Sequence, residues 1–476
     1  MNAIATPLWS GLALVAPLNA RVSGPVPAGV TGISIDSRSL EPGDLYFAIT
    51  GDNSNGHDYV AAAFAAGAAA AVVAEGFADA LKSLGSLYVV NDVLASLVAL
   101  GEAARARTQA QVVAVTGSVG KTSTKEALRL ALTPSGAVHA SVASYNNHWG
   151  VPLTLARMPK ATRFAIAEIG MNHAGEITPL TAMVRPNIAI ITTVAPVHLE
   201  FFDSVDAIAD AKAEIFSGLE PGGTAIINRD SPYYERLDAT ARQSPADSIL
   251  SFGAHHDADA RLIDFTPAST FSMVTASIAG RLVTFRLGAP GRHLADNALA
   301  VLLAVHALGA DVAAAASALA FFQAQQGRGQ RVSIKTPDGP FTLIDESYNA
   351  NPASMQAALA LGGTLLPSGT GRRIAVLGDM LELGHTSPAL HAALADDIVN
   401  NNFDLVFAAG PMMKSLADAL SDRVTVAWRS RAADIEPAVV DTVHAGDVVV
   451  VKGSNGSRMA PIVGALKARH AAPQPA

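Results

Sequence analysis

The sequence predicts an α/β protein of three domains: a central doubly wound, mostly parallel sheet, a small α/β domain before it and a Rossmann-like α/β domain after it. Three observations predict this. The chain has 476 residues, and domains commonly run to about 150. Short apolar runs alternate with helical stretches over most of that length, as they do where strands are buried on both faces between crossover helices. One such run, Val112-Val113-Ala114-Val115, leads through Thr116-Gly117-Ser118-Val119-Gly120-Lys121-Thr122 into a helical stretch from Ser123 to Leu130. The expected domains are 1–90, 91–328 and 329–476.

In the first domain, Pro7 to Leu18 reads as a short packed helix, and Val30 to Ile35 and Leu45 to Ile49 read as strands. His57 and Asp58 open an alanine-rich helix; Ala71 to Ala74 and Leu87 to Val90 are further strands. Ser37 and Arg38 follow the first strand. They suit a phosphate or a uracil edge, or equally form a solvated turn with a surface ion pair.

A helix from Asp92 to Arg107 leads into the central domain, whose strands are Val112 to Val115, Phe164 to Ala167, Ile188 to Ile191 and Ala225 to Ile227. Ligands of such sheets sit beyond the carboxyl ends of the strands. Beyond the first strand, Gly117 and Gly120 allow a tight turn that aims backbone N–H groups inward at a helix N-terminus, a cradle for phosphate. Lys121 adds a charge for the outer phosphates and Thr122 a hydroxyl for Mg²⁺. The loop is the compact form, Gly-x-x-Gly-Lys-Thr. Glu168 follows the second strand and suits a hard cation. His198 follows the third and by itself reads as a structural histidine. Asn146 and Asn147 precede a Gly-x-Pro turn, where they cap the next helix or donate to a phosphoryl group. Lys212 on its own reads as a surface helix lysine.

Leu262 to Leu287 reads as a small antiparallel extension. Gly291-Arg292-His293 opens a helix in which Asn297 offers an amide for an adenine edge or a cap. The polar stretch Gln323 to Gln330, with Gly327-Arg328-Gly329, is a linker. The third domain has strands Phe341 to Ile344, Ile374 to Leu377, Leu405 to Ala408 and Val448 to Val451. The first ends in Asp345-Glu346-Ser347-Tyr348-Asn349-Ala350-Asn351-Pro352, the last in Lys452-Gly453-Ser454.

Composition narrows the classes. Half the residues are hydrophobic and 16% are charged, which argues against long disorder. A net charge of −8 argues against a nucleic-acid scaffold. The absence of cysteine excludes disulfides, thiolate metal sites and a cysteine nucleophile, and fits a cytoplasmic location. Ala61 to Ala74 is too short and too weakly apolar to span a bilayer, and the N-terminus lacks the basic start of a signal peptide.

This set of motifs resembles the Mur ligases, the ATP-dependent amide-bond-forming enzymes of peptidoglycan synthesis. The resemblance is carried by Thr116 to Thr122, Asn146-Asn147 with Gly150-Val151-Pro152, Glu168-Ile169-Gly170 with Asn172-His173, His198-Leu199-Glu200, Lys212 in Ala-Lys-Ala-Glu-Ile-Phe, Gly291-Arg292-His293 with Asn297, and Asp345 to Pro352. It runs from about Asp36 to the last helix. Ser347 to Pro352 and Gly378-Asp379-Met380-Leu381-Glu382-Leu383-Gly384 favour the member that joins D-alanyl-D-alanine to a UDP-N-acetylmuramoyl-tripeptide.

The resemblance implies particular roles. Thr116, Gly117, Ser118, Val119, Gly120, Lys121 and Thr122 would hold the ATP phosphates. Thr122 and Glu168 would hold one Mg²⁺, and His198 and Lys212 a second, with Lys212 carried as its CO₂ adduct, a carbamate. Arg328 would reach the γ-phosphate, Asn297 adenine, and Asp345 the ribose or the domain-closing contacts. Ser37 and Arg38 would meet the UDP end, Asn146 and Asn147 the substrate, and Asn349 and Lys452 the dipeptide or the acyl phosphate. Glu346 stands where the family often has a second Asp, and Arg331 competes with Arg328. A monomer without nucleic-acid partner or membrane span is expected. The alternatives are a sister ligase, a folate polyglutamate synthetase and a non-catalytic ATP-binding module. Asp36-Ser37-Arg38 with Gly43-Asp44-Leu45 counts against the folate enzyme, and Glu168, His198 and Lys212 together count against the module.

Overall fold

The computed structural model describes residues 7–51, 54–142 and 144–469. Its first sheet has five strands. Leu87–Val90, Ala70–Ala74, Leu45–Phe47 and Ile33–Ser34 run parallel in that order, and Arg21–Ser23 pairs antiparallel with Leu87–Val90 at the edge. The single strand expected over Val30 to Ile35 is broken in two. Gly29–Val30 pairs with Trp9–Ser10 in a separate ribbon, and only Ile33–Ser34 joins the main sheet. Gly32 is where the chain changes partner: a Cβ there would lie 2.3 Å from Asp44 Oδ1, and Thr31 N–H donates to Gly43 O at 2.9 Å. The N-terminal helix is Gly11–Leu18, with the Ser10 hydroxyl accepting from Ala13 N–H.

This sheet shares a core with the helices Val93–Ala106 and Gly150–Ala156; Leu14, Val72, Leu97 and Leu153 are packed together. Trp9 fastens the joint. Its indole donates to Ala156 O at 3.1 Å, and the Arg107 guanidinium lies 3.3 Å from its ring centroid.

The central sheet has nine strands. Val138–Ala140, Phe164–Glu168, Gln111–Thr116, Ile188–Ile191, Gly223–Asn228, Ala246–Gly253 and Ala260–Pro267 are parallel neighbours in that order. Ser272–Ile278 and Arg281–Leu287 extend the far edge antiparallel, as the turn-rich sequence suggested. Side chains alternate between the two faces. Val113 and Val115 pack under the helices Lys121–Leu132 and Arg292–Ala307, while Val112 and Ala114 pack toward Ile177–Val184 and Val205–Ala213. Both faces are covered, so these strands read as unbroken apolar runs.

The third sheet orders Gln330–Thr336, Gly339–Glu346, Val448–Lys452, Arg373–Gly378, Leu405–Ala409 and Thr425–Arg429. All are parallel neighbours except Gln330–Thr336, which forms a hairpin with Gly339–Glu346. The linker expected through Gln330 therefore stops at Gly329. Val332 and Ile334 alternate there with Arg331, Ser333 and Lys335, a period of two that makes an edge strand. Beside it, buried Asp447 accepts from Arg372 N–H at 2.8 Å and His444 N–H at 3.0 Å and pairs with the Arg372 guanidinium at 3.1 Å. Asp447→Ala leaves those donors unmatched and is expected to cost about 3 kcal/mol, read as a lower denaturant midpoint for the intact chain. Among the described residues, no helix is long and apolar enough to cross a membrane.

Candidate active site

The strand Gln111–Thr116 ends in a turn that only glycine permits. Gly117 and Gly120 have φ of +148° and +91°, and a Cβ on Gly117 would lie 2.0 Å from Thr192 Oγ1. The helix Lys121–Leu132 starts directly after, so its free N–H groups and positive end face the loop. Ser118 pins the loop down: its N–H donates to Thr193 O (2.8 Å) and its hydroxyl to Ala195 O (3.0 Å). The Thr192 hydroxyl donates to Val119 O at 2.6 Å. The Lys121 ammonium folds back onto Gly117 O at 2.6 Å.

Behind the loop, Glu168 ends the neighbouring strand and is 1% exposed. Its Oε1 accepts from the Thr122 hydroxyl (3.1 Å) and the Asn146 amide (2.8 Å). Its Oε2 is buried with no partner among the described residues. An unmatched buried acceptor costs about 1–3 kcal/mol, more when charged. A hard cation beside Thr122 and Glu168 would satisfy it with the oxygen ligands such ions prefer.

Lys212, on the helix Val205–Ala213, is 2% exposed, and no described residue accepts a hydrogen bond from its amine. Burial, and then the charge of Lys121, push that amine well below the ordinary lysine range. Burial lowers Lys121 as well, with Glu168 opposing and Arg328 reinforcing the shift. A buried amine of lowered basicity beside a second cation is poorly placed as an ammonium. As an uncharged nucleophile toward CO₂ it is well placed, and the resulting carboxylate would be attracted by the neighbouring charge that repels an ammonium.

His198 lies at the end of the next strand's loop with φ of +55°, and its Nδ1 is 2.5 Å from Glu382 Oε2. That hydrogen bond holds the Glu382 carboxyl below the usual carboxylate range. Glu382 belongs to the third sheet's Gly378-to-Gly384 loop and also has positive φ, +62°. Left-handed backbone at such residues costs about 1–3 kcal/mol each and persists only where the surroundings fix it.

The other wall comes from the third sheet. Gly339–Glu346 and Val448–Lys452 run parallel with Glu346 opposite Lys452. The Lys452 ammonium lies 3.2 Å from Glu346 Oε2 and 2.9 Å from Asn349 O. Arg328 reaches from the linker to donate to Ser144 Oγ at 2.8 Å, its guanidinium 4.1 Å from the Tyr348 ring centroid. The carboxyl ends of two parallel sheets thus face each other across a cleft of about 1110 Å³.

Ser118 to Thr122, Asn146, Asn147, Glu168, His198, Asn297, Arg328, Asn349 and Lys452 all line this cleft. Six expected site residues do not. Thr116 is buried beneath the loop and Gly117 abuts Thr192. Lys212 is buried, within range of the Lys121 charge but outside the lining. The Asp345 carboxylate accepts from the Ser347 hydroxyl at 2.6 Å, and it is the next residue, Glu346, that lines the cleft. Ser37 and Arg38 stand on a turn of the first sheet, where the exposed Arg38 guanidinium pairs with Asp36 at 2.6 Å.

Several open alternatives separate on geometry. Asn147 Oδ1 accepts at 3.0 Å from the N–H of Gly150, the first residue of the next helix, while the Asn146 amide donates to Glu168. Asn297 sits inside the helix Arg292–Ala307 rather than at its cap, against Gly120, where a Cβ would meet its Nδ2 at 2.7 Å. Arg331 donates to Ser269 O, so Arg328 is the arginine of the cleft. Sequence reasoning missed Ser144, Glu346, Tyr348 and Glu382. All four lay inside runs that the sequence singles out, Ser144 at the head of Ser144 to Pro152, but none was given a role of its own.

Three family profiles match in chain order: the Mur ligase family catalytic domain over residues 29–115, the Mur ligase middle domain over 115–305, and the Mur ligase glutamate ligase domain over 327–455. With the fold and the site, they define the chain's class: it belongs to the Mur ligase family and is an ATP-dependent amide-bond-forming ligase. Among its relatives, the UDP-N-acetylmuramoyl-tripeptide–D-alanyl-D-alanine ligase of Rickettsia prowazekii is 32% identical, over 96% of this chain and 99% of that protein. The Escherichia coli protein of the same name is 32% identical, over 91% and 93%. The crystal structure of MurF from Acinetobacter baumannii superposes with a TM-score of 0.82 at 27% identity, covering 97% of this chain and 99% of that one.

Proposed function

We propose that the chain joins D-alanyl-D-alanine to UDP-N-acetylmuramoyl-tripeptide, with ATP giving ADP and phosphate through an acyl phosphate. A carboxylate is a poor acyl donor until its oxygen is phosphorylated; the amine then displaces phosphate. The observation that carries the reading is the joint cleft. One wall is a phosphate loop backed by Glu168, and the other holds Arg328 and Lys452 on the chain's last sheet and its linker. Such a layout keeps a nucleotide and an acceptor amine on opposite sides of one acyl group, and closure around it excludes water.

The residues divide the work. Lys121 leaves Gly117 O for the outer phosphates, together with the loop N–H groups, and Arg328 meets the γ-phosphate while stacked on Tyr348. Asn297 is set beside the loop for the adenine edge, and Glu346, rather than Asp345, for the ribose. Thr122 and Glu168 would hold one Mg²⁺, and His198 with a carbamylated Lys212 a second. Bound there, the ions would spread the charge that builds up as the phosphoryl group moves. Lys452 and Asn349 face the incoming amine. Ser37 and Arg38 are assigned to the UDP end, for which the Arg38 guanidinium exchanges Asp36 for a phosphate. The domains 1–90, 91–328 and 329–476 then bind UDP-sugar, ATP and dipeptide in turn, in a cytoplasmic monomer.

Phosphate release from ATP and Mg²⁺, measured with each substrate alone and with both, tests this. Release that needs both, with a pentapeptide product by mass, is the expected result. Release with a single amino acid and a shorter precursor would transfer the protein to a sister ligase. ATP binding without release on any such pair would make it a non-catalytic module.

A further inference from the structure

The segment Gly378 to Gly384 has no part in the chemistry so far, yet it touches the site. Its Glu382 carboxylate is 2.5 Å from His198 Nδ1, and Glu382 O accepts from Glu200 N–H at 3.2 Å. Between those two contacts, Leu199 packs against the apolar core of the central sheet and that of the third sheet at once. Gly384 has positive φ, and a Cβ on it would already lie 3.4 Å from Glu200 Cα, so the loop sits close upon the His198-Leu199-Glu200 tongue. Three successive residues of the central unit are thus engaged by one loop of the third.

The Nδ1 contact has a chemical consequence. A neutral imidazole that donates its Nδ1 hydrogen to a carboxylate carries its lone pair on Nε2. No described residue is hydrogen-bonded to His198 Nε2, and His198 lines the cleft. Carboxylates that hold a ligating histidine in this way fix its tautomer and ring orientation.

We propose that Glu382 is a positioning residue which latches the third domain onto the His198-Leu199-Glu200 tongue and by the same contact sets His198 in its ligand tautomer. This rests on the reading of His198 as a metal ligand. Docking of the third domain and completion of the second ion's site are then one event. An undocked third domain leaves the histidine ring free, so the nucleotide wall finishes assembling only when the wall that brings the acceptor amine is in place.

The chain has no native cysteine, so spin labels can be placed cleanly at Gln243→Cys on the central unit and Asp422→Cys on the third, both exposed. Pulsed dipolar spectroscopy of the full chain without metal reads the docking. Mn²⁺ titration of the ADP-saturated chain by EPR reads the site. Glu382→Ala is expected to broaden the distance distribution and weaken Mn²⁺ about 10-fold or more, with kcat falling and KM for ATP unchanged. Glu382→Gln, which still offers an oxygen to the Nδ1 hydrogen, is expected to restore the narrow distribution and most of the affinity. An unchanged distribution in Glu382→Ala would overturn the latch, and unchanged Mn²⁺ affinity the positioning. Absence of Mn²⁺ binding by the unaltered chain would overturn the positioning together with the metal reading. The distances, measured without metal or substrate, judge the latch even if the ligase assay fails.

Discussion

Lys212→Met is expected to fold, to bind ATP as tightly as the unaltered chain, and to turn over about 10³-fold more slowly. The methionine fills the same buried volume on the helix Val205–Ala213, so packing is kept while the amine is lost. The amine is the unusual group here. It belongs to a buried side chain, has no acceptor among the described residues, and is held down in basicity first by burial and then by Lys121. Adding CO₂ to it forms an N–C bond and releases one proton, leaving a carboxylate where an ammonium would be repelled. A carbamate ¹³C resonance after ¹³C-bicarbonate exchange, absent in Lys212→Met, is the direct readout. Removing CO₂ from the buffer should lower turnover of the unaltered chain, and bicarbonate should restore it. Full activity in folded Lys212→Met would take the residue out of the mechanism.

The same variant makes a claim about stability with its own sign. The folded-state pKa of Lys212 lies below its unfolded value, so between the two the unfolded chain binds more protons. In CO₂-free buffer, native stability therefore rises with pH through that window, up to the ordinary lysine value of 10.5. Lys212→Met deletes this rise.

Lys212 also marks the limit of what residue patterns reveal. Nothing in Asp210-Ala211-Lys212-Ala213 distinguishes a buried amine from a solvated one, because helical periodicity tells which face is apolar and not what lies beyond it. The strands were legible for the opposite reason. Val112 to Val115, Ile188 to Ile191 and Val448 to Val451 are apolar on both faces, and the sheets bury both. The rule that ligands gather at strand ends then located Lys121, Glu168, His198 and Lys452 before any coordinates. Val138–Ala140 and Thr425–Arg429 escaped because edge strands of three to five residues carry too little pattern. The choice between Asp345 and Glu346 was illegible as well: adjacent residues of a strand point to opposite faces, and register alone sends one to Ser347 and the other to the cleft. Family likeness supplied the roles proposed for Lys212 and Arg328, which no local pattern suggested.

Lys121→Ala is expected to weaken ATP about 10- to 100-fold, the worth of one or two charge-assisted hydrogen bonds, and to lower turnover further. The ammonium is bonded to its own loop at Gly117 O, so its removal leaves the φ-positive glycines and the turn intact, and loss of affinity reports the phosphates alone. Unchanged nucleotide affinity would argue against the loop. The variant also reaches Lys212. Deleting the nearer cation removes a cause of that amine's low basicity, so at a fixed pH more of it is protonated and less is free for CO₂. The carbamate signal should therefore weaken in Lys121→Ala and recover as the pH is raised. For the same reason the two lysines should not act independently: turnover of Lys121→Ala with Lys212→Met should lie well above the product of the single losses.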